Sequence, residues 1–488
     1  MTDVRLIDVS LRDGNQSLWG AVGVSTRTIE QICPLIDACG YEAIELLSST
    51  TMAVAVRFQR EDPWHRLDLA RRLAPNTRLG FLTTGRRFVT FSRTPQSVLR
   101  LAYRLLRRHG VTRIWVVDPM LDMASTIETA TMAREEGFEQ VIAGLCYTRS
   151  PVHTDDYYAD KIAALDDCPA IDSLYLKDPS GLMNPERLES LLPKLQSRLK
   201  RLRIDEIHTH CTTGQAPVTL LKAADLGLTT LHCALPPLAN GNSHSNVLQL
   251  VRNLEARGHR TTVDVAALEE ASACLTREAA LFGLASGTPV EYDEAYYQHT
   301  LPGGVLTTTE RQLTEMGRAE LMPAVIEEAI QVRADLGWPI VVTPFAQYIV
   351  TQASINLMTG ERYSRITDEV VDLLLGEFGP MPGTVDPGLL DRALGTQRAR
   401  QARIGEEPTL EELKARLGSR LSDEDLLLRA VMPAEQVDAM TRRQQSQRGS
   451  LATLLADLED GDGHYSLSIK SGATTLSFAG GSTKGTTQ

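Results

Sequence analysis

The sequence predicts an α/β protein built on a TIM (β/α)8 barrel, with a helical C-terminal domain and a short β-hairpin-like tail, and three observations lead there. Eight short apolar, β-like runs recur in the first 240 residues. Helix-like segments separate them at intervals of about 25–40 residues, the signature of parallel strands with crossover helices. The third is that no Gly-rich phosphate loop follows the first run, as a doubly wound sheet would more often show, and eight is the count that closes a barrel.

The runs cover 5–9, 43–47, 79–82, 113–117, 141–145, 171–176, 204–208 and 230–235. Between them lie amphipathic stretches such as 96–109 and 185–201. The latter carries Leu188, Leu191, Leu192 and Leu195 at helical spacing. Past residue 290 the pattern changes: Pro302-Gly303-Gly304 marks a loop, and helices are predicted over 311–336, 343–359 and 368–377. The reading divides the chain into a barrel domain (1–290), a helical domain completing the active site (291–395), a helical arm (396–447), and a linker with hairpin-like tail (448–488). In that tail, apolar and polar residues alternate on both sides of Ser471-Gly472.

The 488 residues include 50 Lys+Arg against 62 Asp+Glu, a formal charge of −12. With no basic block to offset it, that balance argues against nucleic-acid binding. No apolar run approaches the ~20 residues of a membrane span. The N-terminus lacks the basic flank and apolar stretch of a signal peptide. Seven cysteines, an odd number widely spread, read as a reduced cytoplasmic set rather than a disulfide framework.

Chemistry concentrates at predicted strand ends. In His208-Thr209-His210 the imidazoles sit at i and i+2 of a strand, so both project to one face, as metal ligands must. A hydrogen-bonded histidine pair at a strand edge is the bland alternative. Asp13 follows the first strand and Lys177 ends the sixth, at the same barrel mouth. A lysine carbamylated by CO2 presents a carboxylate-like oxygen. Two imidazole nitrogens and two oxygens suit zinc or another borderline divalent ion. A Lys177 salt bridge to Asp13 or Asp178 is the metal-free alternative.

The motifs Leu11-Arg12-Asp13-Gly14-Asn15-Gln16, Arg57-Phe58-Gln59-Arg60-Glu61-Asp62-Pro63-Trp64, Cys146-Tyr147-Thr148-Arg149-Ser150-Pro151-Val152-His153, Lys177-Asp178-Pro179-Ser180-Gly181, His208-Thr209-His210, Leu301-Pro302-Gly303-Gly304 and Gly360-Glu361-Arg362-Tyr363 occur in this order. In them the chain resembles the biotin-dependent carboxyltransferases: the carboxyltransferase domain of pyruvate carboxylase, the oxaloacetate decarboxylase alpha chain and the transcarboxylase large subunit. The resemblance implies a barrel with a helical extension. It implies a divalent metal (zinc, manganese or cobalt) on Asp13, His208, His210 and carbamylated Lys177. It places Arg12 and Gln16 beside the substrate and makes Thr307 the proton shuttle between biotin and the substrate enol. On the residues alone, Thr307 reads equally as a loop hydroxyl capping a helix that begins near Glu310.

Departures from the family cluster in the substrate pocket. Ala53 stands where the family has aspartate, Thr84 where an arginine holds the substrate carboxylate, Phe91 where a tyrosine stands, Cys211 where an aspartate stands, and Asn15 in place of a histidine. Losing an aspartate and an arginine together strands no buried charge, so the pocket reads as rebuilt. An atypical acceptor is expected, because threonine cannot imitate a bidentate arginine–carboxylate contact. Cys211 reads as a small pocket-lining apolar group, with a metal-adjacent thiolate as the sharper alternative.

No Ala-Met-Lys-Met biotin-attachment sequence occurs. The resemblance therefore implies biotin on a separate carboxyl carrier protein charged by a biotin carboxylase subunit, in a homodimer or larger complex. Two other functions compete: a biotin-independent metal lyase, aldolase or decarboxylase on the same barrel, and a catalytically silent scaffold.

Overall fold

Eight parallel strands form a ring: β1 (Asp3–Asp8), β2 (Ala43–Ser48), β3 (Arg78–Thr84), β4 (Val111–Val117), β5 (Gln140–Cys146), β6 (Ser173–Asp178), β7 (Ile204–Thr209) and β8 (Thr230–Cys233). The first strand pairs with both neighbours, Ile7 opposite Ala43 on β2 and Asp8 opposite Cys233 on β8, so the barrel closes. The computed structural model describes the chain except residues 1, 91–92, 402–406, 460–463, 472–473 and 482–488, and beyond residue 446 it describes backbone only.

The strands read as apolar runs because both faces are covered, by the barrel interior within and by helices without. All six residues of β2 are buried. Each strand lies within a few residues of its predicted run. The eighth stops at Cys233, two residues early, just ahead of Pro236-Pro237, where the missing amide hydrogens cannot extend the ladder. Around the barrel, helix Gln96–Arg108 buries Leu99, Leu101, Leu105 and Leu106, and helix Pro185–Gln196 buries the four predicted leucines.

The predicted helix over 311–336 is two helices, Gly303–Glu315 and Met322–Asp335. Gly317 adopts a left-handed φ of 67°, which ends the first, and Pro323 opens the second, where its missing N–H costs nothing. These pack with helix Phe345–Thr359 around a second core of Val325, Val332, Phe345 and Ile349, which Met120 of the barrel joins. One cation ties this core to the barrel. The Arg333 guanidinium donates to the carbonyls of Pro339 and Arg149 (both 3.0 Å) and to the hydroxyls of Thr300 (2.7 Å) and Thr148 (3.1 Å).

Downstream, the chain returns to the barrel wall. Helix Asp423–Val431 lies against helix Gln96–Arg108, and Leu426, Leu427 and Leu428 join the barrel's own core. Arg108 pairs with Glu424, and the Ser97 hydroxyl donates to the Pro408 carbonyl at 2.7 Å. Helix Ala434–Glu459 passes Arg57, which donates to Gln436 at 3.3 Å. The tail forms an antiparallel pair, His464–Ser471 with Thr474–Gly481, Ser471 opposite Thr474. Among the described residues no helix is long and apolar enough to cross a membrane, and all seven cysteines are buried free thiols.

Candidate active site

The C-terminal ends of the strands open into a cavity of about 530 Å3. Its wall includes Arg12, Asp13, Lys177 and His210 from the barrel, with Pro302–Val305 and Val342–Pro344 from the helical extension. After β1 the chain winds through a tight turn over Ser10–Gly14, in which the amides of Asp13 and Gly14 both donate to the Val9 carbonyl at 2.9 Å. That turn swings Arg12 and Asp13 inward. Gly181, four residues past Lys177, holds a φ of 67°, and a Cβ there would stand 2.5 Å from the His210 carbonyl oxygen. The close approach of these two loops, which aligns Lys177 with His210, therefore requires glycine.

Asp13 is the hub. Its Oδ2 lies 2.8 Å from Arg12 Nη1, 3.2 Å from His208 Nε2, 3.6 Å from His210 Nε2 and 3.9 Å from Lys177 Nζ. Burial alone would raise the Asp13 carboxyl, but the charge of Arg12 leads what outweighs it and holds the group well below the usual carboxylate range. The other side of Arg12 binds Glu45, so this guanidinium is committed to two carboxylates.

Hydrogen bonds around the histidines fix which nitrogens are free. The His210 Nδ1–H donates to the Asn242 carbonyl at 2.7 Å, leaving Nε2 as the lone-pair atom facing Asp13. Lys177 Nζ donates to His208 Nε2 at 3.0 Å, so the His208 proton sits on Nδ1 and is shared with His232 Nδ1 at 2.9 Å. His232 in turn donates from Nε2 to Glu206 at 2.6 Å, and Glu206 also accepts from Trp115 and Arg113. A buried carboxylate thus orients two imidazoles in series, the support that metal-binding histidines ordinarily have. Burial opposes ionisation of Glu206, yet Arg113 and His232 bring it down to about 2.

Asp13, Lys177, His208 and His210 were all legible in the sequence, and the fold brings the four together. His244 was not, although its Nε2 lies 3.1 Å from His208 Nε2, nor were the supporting His232, Glu45 and Glu206. The signals were present: a charge inside an apolar strand run (Glu45, Glu206), and a histidine in the loop after the eighth strand.

The remaining predicted pocket residues divide. Gln16 and Thr84 line the cavity; Ala53 does not. On helix Ser49–Val54 the wall is formed by Ser49, Thr50 and Val54, and Ala53 lies outside it. Cys211 is buried outside the wall, its Sγ 3.8 Å from the Ser245 hydroxyl and its thiol pushed up to about 12 by burial, which favours the small apolar role over a thiolate. Thr307 is exposed, its hydroxyl donating to the Gly303 carbonyl at 3.1 Å, and Thr308 lines the cavity instead. The helix carrying both begins at Gly303 rather than near Glu310, which sets this facing. Asn15 accepts from the amides of Gly23 (3.1 Å) and Val24 (3.2 Å) and serves the loop. Phe91 lies outside the described residues. Neither Arg86 nor Arg87 lines the cavity: Arg86 pairs with Glu407 at 3.2 Å, and Arg87 stacks on Phe378.

A closed (β/α)8 barrel with charged groups converging at the C-terminal mouth defines an enzyme of the TIM-barrel class. The chain belongs to the biotin-dependent carboxyltransferase family. Residues 296–476 match the conserved carboxylase domain. A pyruvate carboxylase component from Methanocaldococcus jannaschii is 32% identical over 393 residues, covering 80% of this chain and 68% of the relative. The 2-oxoglutarate carboxylase large subunit of Hydrogenobacter thermophilus is 29% identical over 456 residues, covering 91% and 69%. The methylmalonyl-CoA carboxyltransferase 5S subunit of Propionibacterium freudenreichii subsp. shermanii is 29% identical over 442 residues, covering 88% and 86%. Among solved structures, the carboxyl transferase domain of Rhizobium etli pyruvate carboxylase with pyruvate shares the fold, with a TM-score of 0.82 at 22% identity over 98% of this chain and 83% of that one. The complete Rhizobium etli enzyme superposes with a TM-score of 0.79 at 22% identity, over 90% of this chain and 45% of that one, so the chain spans less than half of it.

Proposed function

We propose that this chain is the carboxyltransferase component of a biotin-dependent carboxylase or decarboxylase, moving CO2 between carboxybiotin on a separate carrier and an enolisable acceptor of atypical chemistry. The observation that carries this is the convergence of Asp13, Lys177, His208 and His210 on the cavity mouth, in a member of that family. Biotin carboxylase and carrier subunits are the implied partners, and the seven buried thiols support a reducing, cytoplasmic setting.

The donor set fits a divalent metal such as zinc, manganese or cobalt. Asp13 is held ionised, and His208 and His210 each turn an unprotonated Nε2 toward it. Those three residues would hold the ion, which when bound supplies Lewis-acid polarisation of the acceptor's enolisable carbonyl. The chain's own groups do the rest. Segments Pro302–Val305 and Val342–Pro344 wall the cavity against water, and Thr308, with Gln16, offers neutral hydrogen-bonding groups beside the acceptor. The guanidinium in the wall, Arg12, is engaged by Asp13 and Glu45, and Thr84 offers no charge. Among the described residues no wall guanidinium is therefore left for a bidentate grip on a 2-oxo acid carboxylate, which supports an acceptor with a neutral recognition group or a different pose.

Transfer from a 14C-carboxylated carrier tests the reading. Label should leave the carrier in an acceptor-dependent way, and streptavidin should capture this chain from a native extract with a biotinylated partner. Failure of both, with the source organism's full acceptor extract supplied, overturns it.

A further inference from the structure

We infer that a second cavity, separate from the active site, binds a small organic dianion, a phosphate monoester or a dicarboxylate. It lies between the loop after β5 and the helical extension, encloses about 540 Å3, and shares no wall residue with the active-site cavity. The loop contributes Arg149 and His153, helix Pro185–Gln196 contributes Arg187, and the extension contributes Tyr297, Arg333 and Trp338. Among the described residues that form this wall, none is an aspartate or a glutamate.

Charge is out of balance there. Arg187 is answered by Asp155 at 2.5 Å. Arg333, only 3% exposed, donates to four neutral oxygens and has no ion-pair partner among the described residues. Burial pushes its guanidinium down to about 10. Arg149 lies 5.0 Å over the Tyr297 ring and also pairs with no acid among the described residues. Two cations without a carboxylate, one of them buried, carry a desolvation cost that a bound dianion would offset.

The wall also holds unused donors. Ser150 Oγ accepts the amides of Val152 (3.1 Å) and His153 (3.2 Å), which take both its lone pairs. Its hydroxyl therefore donates to His153 Nδ1 at 2.7 Å, and the imidazole proton sits on Nε2, buried and without a hydrogen-bond partner. Burial first, then the charges of Arg333 and Lys161, hold His153 down to about 3, so the ring is a neutral donor. Arg333 spends Nε, both Nη1 hydrogens and one Nη2 hydrogen on the protein, which leaves it one more. An oxyanion accepts from both residues and answers both charges, which a cation or a neutral apolar ligand cannot do. A guanidinium fork matches carboxylate and phosphate oxygens alike. The cavity is larger than one ion needs, and Tyr297 and Trp338 give aromatic surface to the rest of the ligand.

Isothermal titration of the full chain with inorganic phosphate and with succinate, at an ionic strength fixed by sodium chloride, tests the site. The readout is binding rather than transfer, so the result stands apart from the reading of the active site. The wild type should take up one equivalent of at least one of the two, with a raised melting temperature, and the tighter of them identifies the ligand as phosphate or dicarboxylate. Arg149→Gln, an exposed change that leaves the Arg333 contacts in place, should weaken binding about tenfold or more, and Arg149→Lys should recover part of the loss. His153→Phe should also weaken it about tenfold, with circular dichroism reporting folding. No saturation by either anion up to ~20 mM, or binding unchanged in Arg149→Gln or in a folded His153→Phe, overturns the inference.

Discussion

The His208 and His232 rings meet Nδ1 to Nδ1 at 2.9 Å in the barrel interior, and this one contact decides which His208 nitrogen faces the cavity mouth. Because His232 spends its only proton on Glu206, His208 must donate, and its Nε2 is left as a lone pair pointing at Asp13.

Glu206→Gln is expected to disturb that order from the far side of the chain of contacts. The substitution leaves Arg113 buried without its carboxylate and lets His232 reverse. Stability should fall by about 3–5 kcal/mol, and metal affinity by about 10–100-fold. Urea denaturation and chelator competition on the same variant measure the two effects.

The neighbouring wall makes a sharper comparison. Thr308→Val removes a cavity hydroxyl and should lower the transfer rate about tenfold or more. Thr307→Val, on the exposed side of the same helix, should stay within about twofold. Steady-state kinetics of the pair decide it, and the reverse ranking would restore the role that family resemblance gives Thr307.

An arginine returned to the cavity should change acceptor preference. Thr84→Arg is expected to raise kcat/KM for pyruvate relative to the native acceptor by about 10–100-fold, the worth of one charge-assisted contact. Competition between pyruvate and acceptor extract in the carrier-decarboxylation assay reads this out.

Asp8 gives a pH signature. Burial first, then the charge of Glu45, raises its carboxyl to about 7 from an ordinary 3.8, and one carboxyl oxygen has no hydrogen-bond partner. Between these limits the folded chain holds a proton that the unfolded chain has released. The stability contributed by neutral Asp8 is therefore complete below 3.8 and is lost as pH rises through about 7. Asp8→Asn should remove about 2 kcal/mol of the stability difference between about pH 5.5 and about pH 8. Chemical denaturation at the two pH values checks the sign.

The return of the chain to the barrel is tested by two leucines. Leu427, buried with the barrel core, should cost about 2–5 kcal/mol as Leu427→Ala. Leu394, 51% exposed, should cost under about 0.5 kcal/mol as Leu394→Ala. Equal effects in thermal denaturation would mean that helix Asp423–Val431 does not share the barrel's cooperative unit.

The barrel was legible because its strands are short apolar runs at regular spacing, a pattern that periodicity detects directly. The ligand candidates at 13, 177, 208 and 210 were legible because each ends or follows a strand. What escaped depends on three-dimensional facing. Whether Thr307 or Thr308 meets the cavity turns on where a helix starts, and the Pro302-Gly303-Gly304 loop signal hid that the helix begins within it. His244 escaped because it sits alone in a loop, with no partner at strand spacing. The split at Gly317 was overrun by continuous apolar periodicity, although glycine and Pro323 marked it.

Arg333 has a consequence for how ligands meet this cavity. It fastens Thr300, which leads into the Pro302–Val305 wall, and Pro339, which leads into the Val342–Pro344 wall, to the barrel through a single guanidinium. Four oxygens, two carbonyl and two hydroxyl, hold it there. Both walls are therefore already seated before anything binds, and little backbone freedom remains to be lost on ligand entry. Recognition at this site should proceed as fit to a standing mould, with association limited by passage through the mouth rather than by closure of a flap.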